Sequence, residues 1–335
     1  MANDGRKRVP PTAVLILALL PFLHSCGTVI ARSGGRPPIP RGISAWTYDY
    51  GGARVEQVKA HNASAPEHRK FRYLFPYAGS VSFGPGRTFT TSWDGETTAR
   101  YVAALGKGIW MLPIFDGRQD KDEFSGWTET EYGALAEKVA AHILADPNAR
   151  GVQVDIEPFR DAHLPFYEAL GKRLRAGGKL MTGFISPGRS EQVLRRMYAA
   201  CDIVVLAGYD FELPNPAAYG NALDNHLAKC NRIAAETGGV TMVGIPAAAA
   251  WAEHEYTGEV VDGACKRRET GYTQEQWLGA AVSAVGKHED DPAQVGVALW
   301  VLTGRTRGEP GECLPSYQPD FISSECWKLV RTMGR

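Results

Sequence analysis

The sequence predicts an α/β protein built as a single closed (β/α)8 barrel of the TIM type. Eight short apolar runs recur along the chain: Ile43–Trp46, Phe71–Phe75, Gly108–Ile114, Gly151–Glu157, Leu180–Ser186, Asp202–Tyr209, Val240–Ile245 and Gln294–Val301. Most are separated by segments with helical periodicity, the pattern of a parallel sheet covered on both faces. The structural rival, an open doubly wound sheet, usually carries a Gly-rich turn after its first strand. No G-x-G-x-x-G or P-loop is present. Eight such units in about 300 residues suit a closed barrel.

The elements follow in order. Arg6-Lys7-Arg8 is a basic leader, and Ala13–Leu23 is an apolar run interrupted by Pro21. That run is too short to span a bilayer as a stable helix but has the length of a signal-peptide core. It ends in Leu23-His24-Ser25-Cys26. This resembles a bacterial lipobox, which implies cleavage after residue 25 and lipidation of Cys26; a plain secreted protein is the alternative. Residues 1–25 are therefore expected to be a signal peptide. Residues 26–42, rich in Gly, Pro, Arg and Ser, are expected to be a lipid-anchored flexible tether. Residues 43–335 are expected to form the barrel domain, exported and held at the cell envelope.

Within the barrel, Glu129–Leu144 is the clearest helix, with Leu135, Val139, Ile143 and Leu144 at helical spacing. Thr128 with Glu131 and Thr273 with Gln276 have the spacing of capping boxes. His163–Leu174 and Glu191–Met197 also read as helices. Cys313 with Cys326, and Cys201 with Cys230, are candidate disulfides in an exported chain. Formal net charge is zero, which argues against a broad nucleic-acid footprint. No cysteine spacing looks like a zinc site and no H-E-x-x-H is present, so neither a metal nor a cofactor is expected. A monomer is expected.

The fourth run carries the chemistry. Side chains on a strand alternate faces, so Gln153, Asp155 and Glu157 share one face while Val152, Val154 and Ile156 share the other. Two carboxylates on a strand otherwise made for burial are costly unless they have a use. They lie immediately before Pro158, at the C-terminal end of the strand, where barrels place their active sites. Acid/base work on a sugar bond is the expected use. Asp116 lies at the same end of the third run, with no role assigned.

Across nearly the whole mature domain the chain resembles glycoside hydrolase family 18, the chitinase-like barrels. That family's fourth strand reads D-G-x-D-x-D-x-E; residues 150–157 keep the glycine, the last aspartate and the glutamate, with Arg150 and Gln153 at the first two aspartates. Its sixth strand ends in M-x-Y-D, matched by Tyr209 and Asp210 with Ala207 at the methionine. Val243-Gly244-Ile245-Pro246 is similar to the seventh strand. Gly296–Trp300 is similar to the closing one.

The resemblance implies a retaining reaction in which the substrate supplies the nucleophile. Glu157 would protonate the departing glycosidic oxygen, and the sugar's 2-acetamido oxygen would attack the anomeric carbon. Asp155 would hold the acetamido N–H. Tyr209 would hydrogen-bond the acetamido oxygen, Asp210 would position the sugar, and Trp300 would floor the pocket. Gln153 can hydrogen-bond Asp155 but cannot take its proton. The expected substrate is a β-linked N-acetylglucosamine-containing glycan. About 48 residues separate the seventh and eighth runs, which leaves little room for a large insertion and implies a shallow groove. Two alternatives stand: a non-catalytic glycan-binding barrel, or a glycosidase with a protein nucleophile, Asp210 or Glu212. Trp46, Trp110 and Trp251 read as core.

Overall fold

All eight apolar runs become strands of one closed parallel barrel in a computed structural model, which describes residues 29–30, 38–48, 52–118, 124–211, 213–247, 256–261, 264–267, 271–303, 322 and 324–332. The strands are β1 (Gly42–Thr47), β2 (Tyr73–Gly84), β3 (Ile114–Arg118), β4 (Gly151–Glu157), β5 (Leu180–Ile185), β6 (Ile203–Leu206), β7 (Thr241–Pro246) and β8 (Gln294–Thr303). Each pairs in parallel with the next in chain order, and β8 returns to β1, so the barrel has no open edge. The helices are α1 (Gly52–Ser64), α2 (Gly95–Leu105), α3 (Glu129–Ala145), α4 (Leu164–Ala176), α5 (Glu191–Ala200), α6 (Pro216–Thr237), α7 (Gln274–Gly286) and α8 (Ser324–Thr332).

Helix starts follow local chemistry. Thr128 and Thr273 each form the capping box that the sequence predicts, tying two otherwise unpaired N–H groups at the heads of α3 and α7. Asp94 accepts from the backbone N–H of Glu96 and Thr97 to start α2. Ser190 and Asn215 cap α5 and α6. Each strand buries one face against these helices and the other along the barrel axis. Closure brings backbones very near at one point: Gly296 has φ +152°, and a Cβ there would run into the Gly42 carbonyl oxygen.

Several boundaries differ from the expected ones. The second strand runs well beyond Phe75, because residues 79–84 turn into an antiparallel hairpin with Thr88–Trp93. The third run breaks in two, Trp110–Met111 and then β3, on either side of Leu112-Pro113; proline has no N–H to give the ladder. The sixth strand stops at Leu206. Ala207–Asp210 form a turn closed by the Asp210 N–H on the Ala207 carbonyl, so Tyr209 and Asp210 sit on a loop past the strand. The anchoring of the barrel begins earlier than Ile43, since Ile39 is fully buried and Tyr73 donates its hydroxyl to the Pro40 carbonyl. Val29–Ile30 pairs antiparallel with Ile39–Pro40.

The expected Cys201–Cys230 disulfide is not formed. Cys201 ends α5 with its sulfur packed against Gly183, whereas the Cys230 sulfur on α6 faces the His226 ring at 3.7 Å. Burial pushes the Cys230 thiol up to about 12, which keeps it protonated. Cys326 is buried, and its expected partner Cys313 lies outside the described residues. The signal segment, Cys26, Trp251 and Glu212 also lie outside them. Among the described residues, no helix is long and apolar enough to cross a membrane.

Candidate active site

The fourth strand builds the centre of the site by alternation alone. Val152, Val154 and Ile156 are buried on the helix side. Gln153, Asp155 and Glu157 climb the opposite face toward the C-terminal rim, from 0% exposure at Gln153 through 9% at Asp155 to an exposed Glu157. The β3–β4 register sets Asp116 directly beside Asp155, and Arg118 beside Glu157. The Tyr77 hydroxyl donates to Asp116 at 3.3 Å.

The loop after β6 brings the second half. Tyr209, 6% exposed, stacks on Trp300 from β8 with ring centroids 5.1 Å apart and planes 23° from parallel. Trp46 from β1 lies edge-on beneath both, 5.5 Å from Trp300 and 6.1 Å from Tyr209. Phe184 from β5 stacks on Tyr209 on another side. Tyr48 meets Trp300 edge-on at 5.8 Å and stacks on Tyr77. An aromatic wall thus runs from β5 and β6 through β8 and β1 to β2, facing the carboxylates of β3 and β4.

Electrostatics ties the two halves together. Burial pushes the Asp155 carboxyl well above the ordinary aspartate range, and the neighbouring charges of Glu157, Asp116 and Asp210 push it further. Burial likewise raises the Tyr209 phenol, helped by Asp210, Asp155 and Glu157. These groups feel one another because loops and strands remote in sequence end at one rim. Both shifts favour the protonated forms of Asp155 and Tyr209. A buried carboxyl raised by a neighbouring carboxylate is the arrangement that can separate an acid from an anion.

Gln153 lies below this pair. Neither its amide nitrogen nor its amide oxygen has a hydrogen-bond partner, nor does Oδ1 of Asp155. Oγ of Ser44 and Nε1 of Trp46, both on β1, are likewise buried without a partner. Arg160, which follows Glu157 by three residues, makes no ion pair with it. Among the described residues, no group of His, Cys, Asp and Glu is arranged to hold a metal ion.

Of the described residues singled out from sequence as catalytic or substrate-binding, Asp155, Glu157, Tyr209, Asp210 and Trp300 lie at one rim, and Gln153 lies fully buried below Asp155 on the same strand face. Sequence reasoning left Asp116 without a role and passed over Tyr48 and Tyr77. For Asp116 the signal was its period-two placement at the end of β3, which register converts into contact with Asp155. Trp46 is core as expected, although its ring also underlies the site. Trp110 sits at the opposite end of the barrel beneath Arg150. A cavity of ≈ 270 Å³ also opens at that opposite end, near Arg41, Arg69, Glu289 and Gln294, remote from the carboxylates.

No family model matches the chain, and no curated protein matches it in sequence. Solved structures do share its fold. A chitinase from Chromobacterium violaceum superposes with a TM-score of 0.53 at 14% identity, covering 87% of this chain and 98% of that one. The C-terminal domain of a chitinase-type protein from Desulfitobacterium hafniense gives 0.53 at 15% identity over 88% and 99%. A glycoside hydrolase family 113 β-mannanase from Alicyclobacillus acidocaldarius gives 0.54 at 14% identity over 88% and 96%. The chain thus has the (β/α)8 barrel found in these glycoside hydrolases.

Proposed function

We propose that the protein hydrolyses β-linked N-acetylglucosamine-containing glycans, with the substrate's own acetamido group as nucleophile. The observation that carries this reading is the grouping of a buried Asp155, its carboxyl pushed up by burial and by Glu157, with an exposed Glu157, faced by a Tyr209–Trp300 stack.

In this reading the proton starts on Asp155, whose carboxyl burial pushes up, while Glu157 stands exposed. A sugar ring seated on Trp300 covers Glu157 and desolvates it, which raises its proton affinity in turn. The proton passes to Glu157, which donates it to the glycosidic oxygen as that bond breaks. Asp155, now an anion, accepts the acetamido N–H. The acetamido oxygen closes on the anomeric carbon, and the Tyr209 hydroxyl donates to it. Water then opens the resulting oxazolinium ring, giving its proton to Glu157 and restoring the pair. Gln153 can donate an N–H to Asp155 while taking no part in the proton exchange, so exchange is confined to Asp155 and Glu157.

Hydrolysis of aryl chitobiosides by wild type, with a loss of about 10²–10⁴-fold in Glu157→Gln, is the expected result. Inhibition by a thiazoline mimic of the cyclic intermediate supports the acetamido nucleophile. Trapping of a covalent glycosyl-enzyme would transfer that role to a protein carboxylate, with Asp210 or Glu212 as candidate. The second reading, a glycan-binding barrel without catalysis, is favoured by one observation: Gln153 offers no titratable group below Asp155. Sugar binding without turnover in wild type would establish it. We further propose that the chain is exported and anchored to the cell envelope through Cys26; loss of membrane association in Cys26→Ala is the test.

A further inference from the structure

The rim is not uniformly acidic. At the same C-terminal end of the barrel, the loops that follow β4 and β5 carry Arg160 and Arg189. The Arg189 guanidinium lies over the Phe159 ring, 5.2 Å from its centroid, and the Arg189 carbonyl accepts from Lys229 Nζ at 2.9 Å. The backbone N–H of Arg160 donates to Nδ1 of His163 at 3.3 Å. Both arginines converge on His163, a fully buried ring whose pKa falls to about 4, first through burial and then through these two cations. The neutral imidazole therefore adds no charge to the corner.

What marks this corner is that no carboxylate among the described residues pairs with its cations. None of Arg160, Arg189 and Lys229 forms an ion pair among the described residues. Nε of Arg160 and Nε of Arg189 are both buried without a hydrogen-bond partner. The arginines on the adjoining helices behave otherwise: Arg196 pairs with Glu168, Arg195 with Glu236, and Arg232 with both Glu191 and Glu236. Asp161, next to Arg160 in the chain, acts on Arg196. Two partly buried guanidiniums with unspent donors are a costly arrangement, and the group that matches their planar fork is a carboxylate. A neutral glycan offers them only neutral oxygen acceptors, which bond a guanidinium more weakly than a carboxylate does.

We propose that Arg160 and Arg189 form a carboxylate-binding flank of the active site, so that the substrate is an acidic glycan: an N-acetylhexosamine chain carrying a carboxylate on a sugar. A 3-O-lactyl ether on alternate sugars is one such chemistry. The arginines also offset the repulsion that an acidic strand meets from Asp116, Asp155, Glu157 and Asp210. The proposal rests on the glycosidase reading of the same site and narrows its substrate class.

The test uses the full-length protein carrying Glu157→Gln, which holds a glycan without turning it over, and isothermal calorimetry. The probes are two tetrasaccharides of alternating N-acetylglucosamine and its 3-O-lactyl derivative, one with free carboxylates and one with methyl esters. The free acid is expected to bind about tenfold or more tighter than the ester. In protein that also carries Arg160→Gln and Arg189→Gln, that ratio falls toward one; with both arginines changed to lysine, part of it returns. Equal binding of acid and ester overturns the proposal, as does a preference that survives the double glutamine change or a failure to bind either probe. Thermal melting checks that each variant is folded. Failure of the underlying reading is separately visible: wild type that binds the acid selectively yet cleaves neither probe retains the flank and loses the hydrolase. Wild type that cleaves aryl chitobiosides with no acid preference retains the hydrolase and loses the flank.

Discussion

Replacing Asp155 by Asn should stabilise the fold while abolishing the proposed activity, and the stability gain should depend on pH in a defined way. Asp155 is 9% exposed, one of its carboxyl oxygens has no partner, and three further carboxylates act on it. Its native pKa therefore lies well above the unfolded value of about 3.9. Between those two values the unfolded chain has released a proton that the native protein still holds. Unfolding stability then falls as pH rises, by at most about 1.4 kcal/mol per pH unit for one proton. The penalty is absent below the unfolded pKa and complete above the native one. Asparagine keeps the shape and never ionises, so the variant lacks this slope. At neutral pH its advantage should be on the order of 1–3 kcal/mol, the usual cost of a poorly satisfied buried polar group. Guanidinium unfolding of both proteins at intervals from pH 4 to pH 8 measures it. Parallel stability curves, or a variant less stable throughout, would show that Asp155 is not a destabilised acid and would remove the proton-sharing argument.

Further outcomes are expected. Tyr209→Phe keeps the stack on Trp300 and removes only the hydroxyl, so kcat should fall about 10²-fold with little change in melting temperature. An equal loss of folding stability and activity would make Tyr209 a packing residue. Gly296→Ala should cost more than about 4 kcal/mol and prevent folding, because the new Cβ meets the Gly42 carbonyl at the β8–β1 closure; circular dichroism checks it. Thr128→Ala removes half of the α3 capping box and should cost about 1 kcal/mol in chemical unfolding without altering turnover.

The barrel was legible because each run obeys short-range rules. Gly151–Glu157 matches its expected bounds because Val152, Val154 and Ile156 alternate with Gln153, Asp155 and Glu157, the period-two pattern of a strand. The capping boxes at Thr128 and Thr273 were legible for the same reason, since a cap involves only residues three apart. The hairpin at Thr88–Trp93 was missed because its exposure merely alternates between exposed and half-buried, with no apolar face to announce it. The break at Pro113 was visible as a proline, but which side of it would pair was not. The Cys201–Cys230 pairing failed because proximity in a helical layer does not settle which way two sulfurs point.

For the site, the chain alone determined that two carboxylates end the fourth strand, that Tyr209 and Asp210 follow the sixth, and that Trp300 closes the eighth. Period-two alternation and strand order suffice for that. Only the tertiary structure decided that the Asp155 carboxyl is pushed up, because burial and the nearness of Glu157, Asp116 and Asp210 are properties of the closed barrel. Only it set Tyr209 against Trp300 and left Arg160 and Arg189 without an ion pair among the described residues. Such facts depend on distances between residues far apart in the chain, and a sequence carries no such distance until the strands have taken their register.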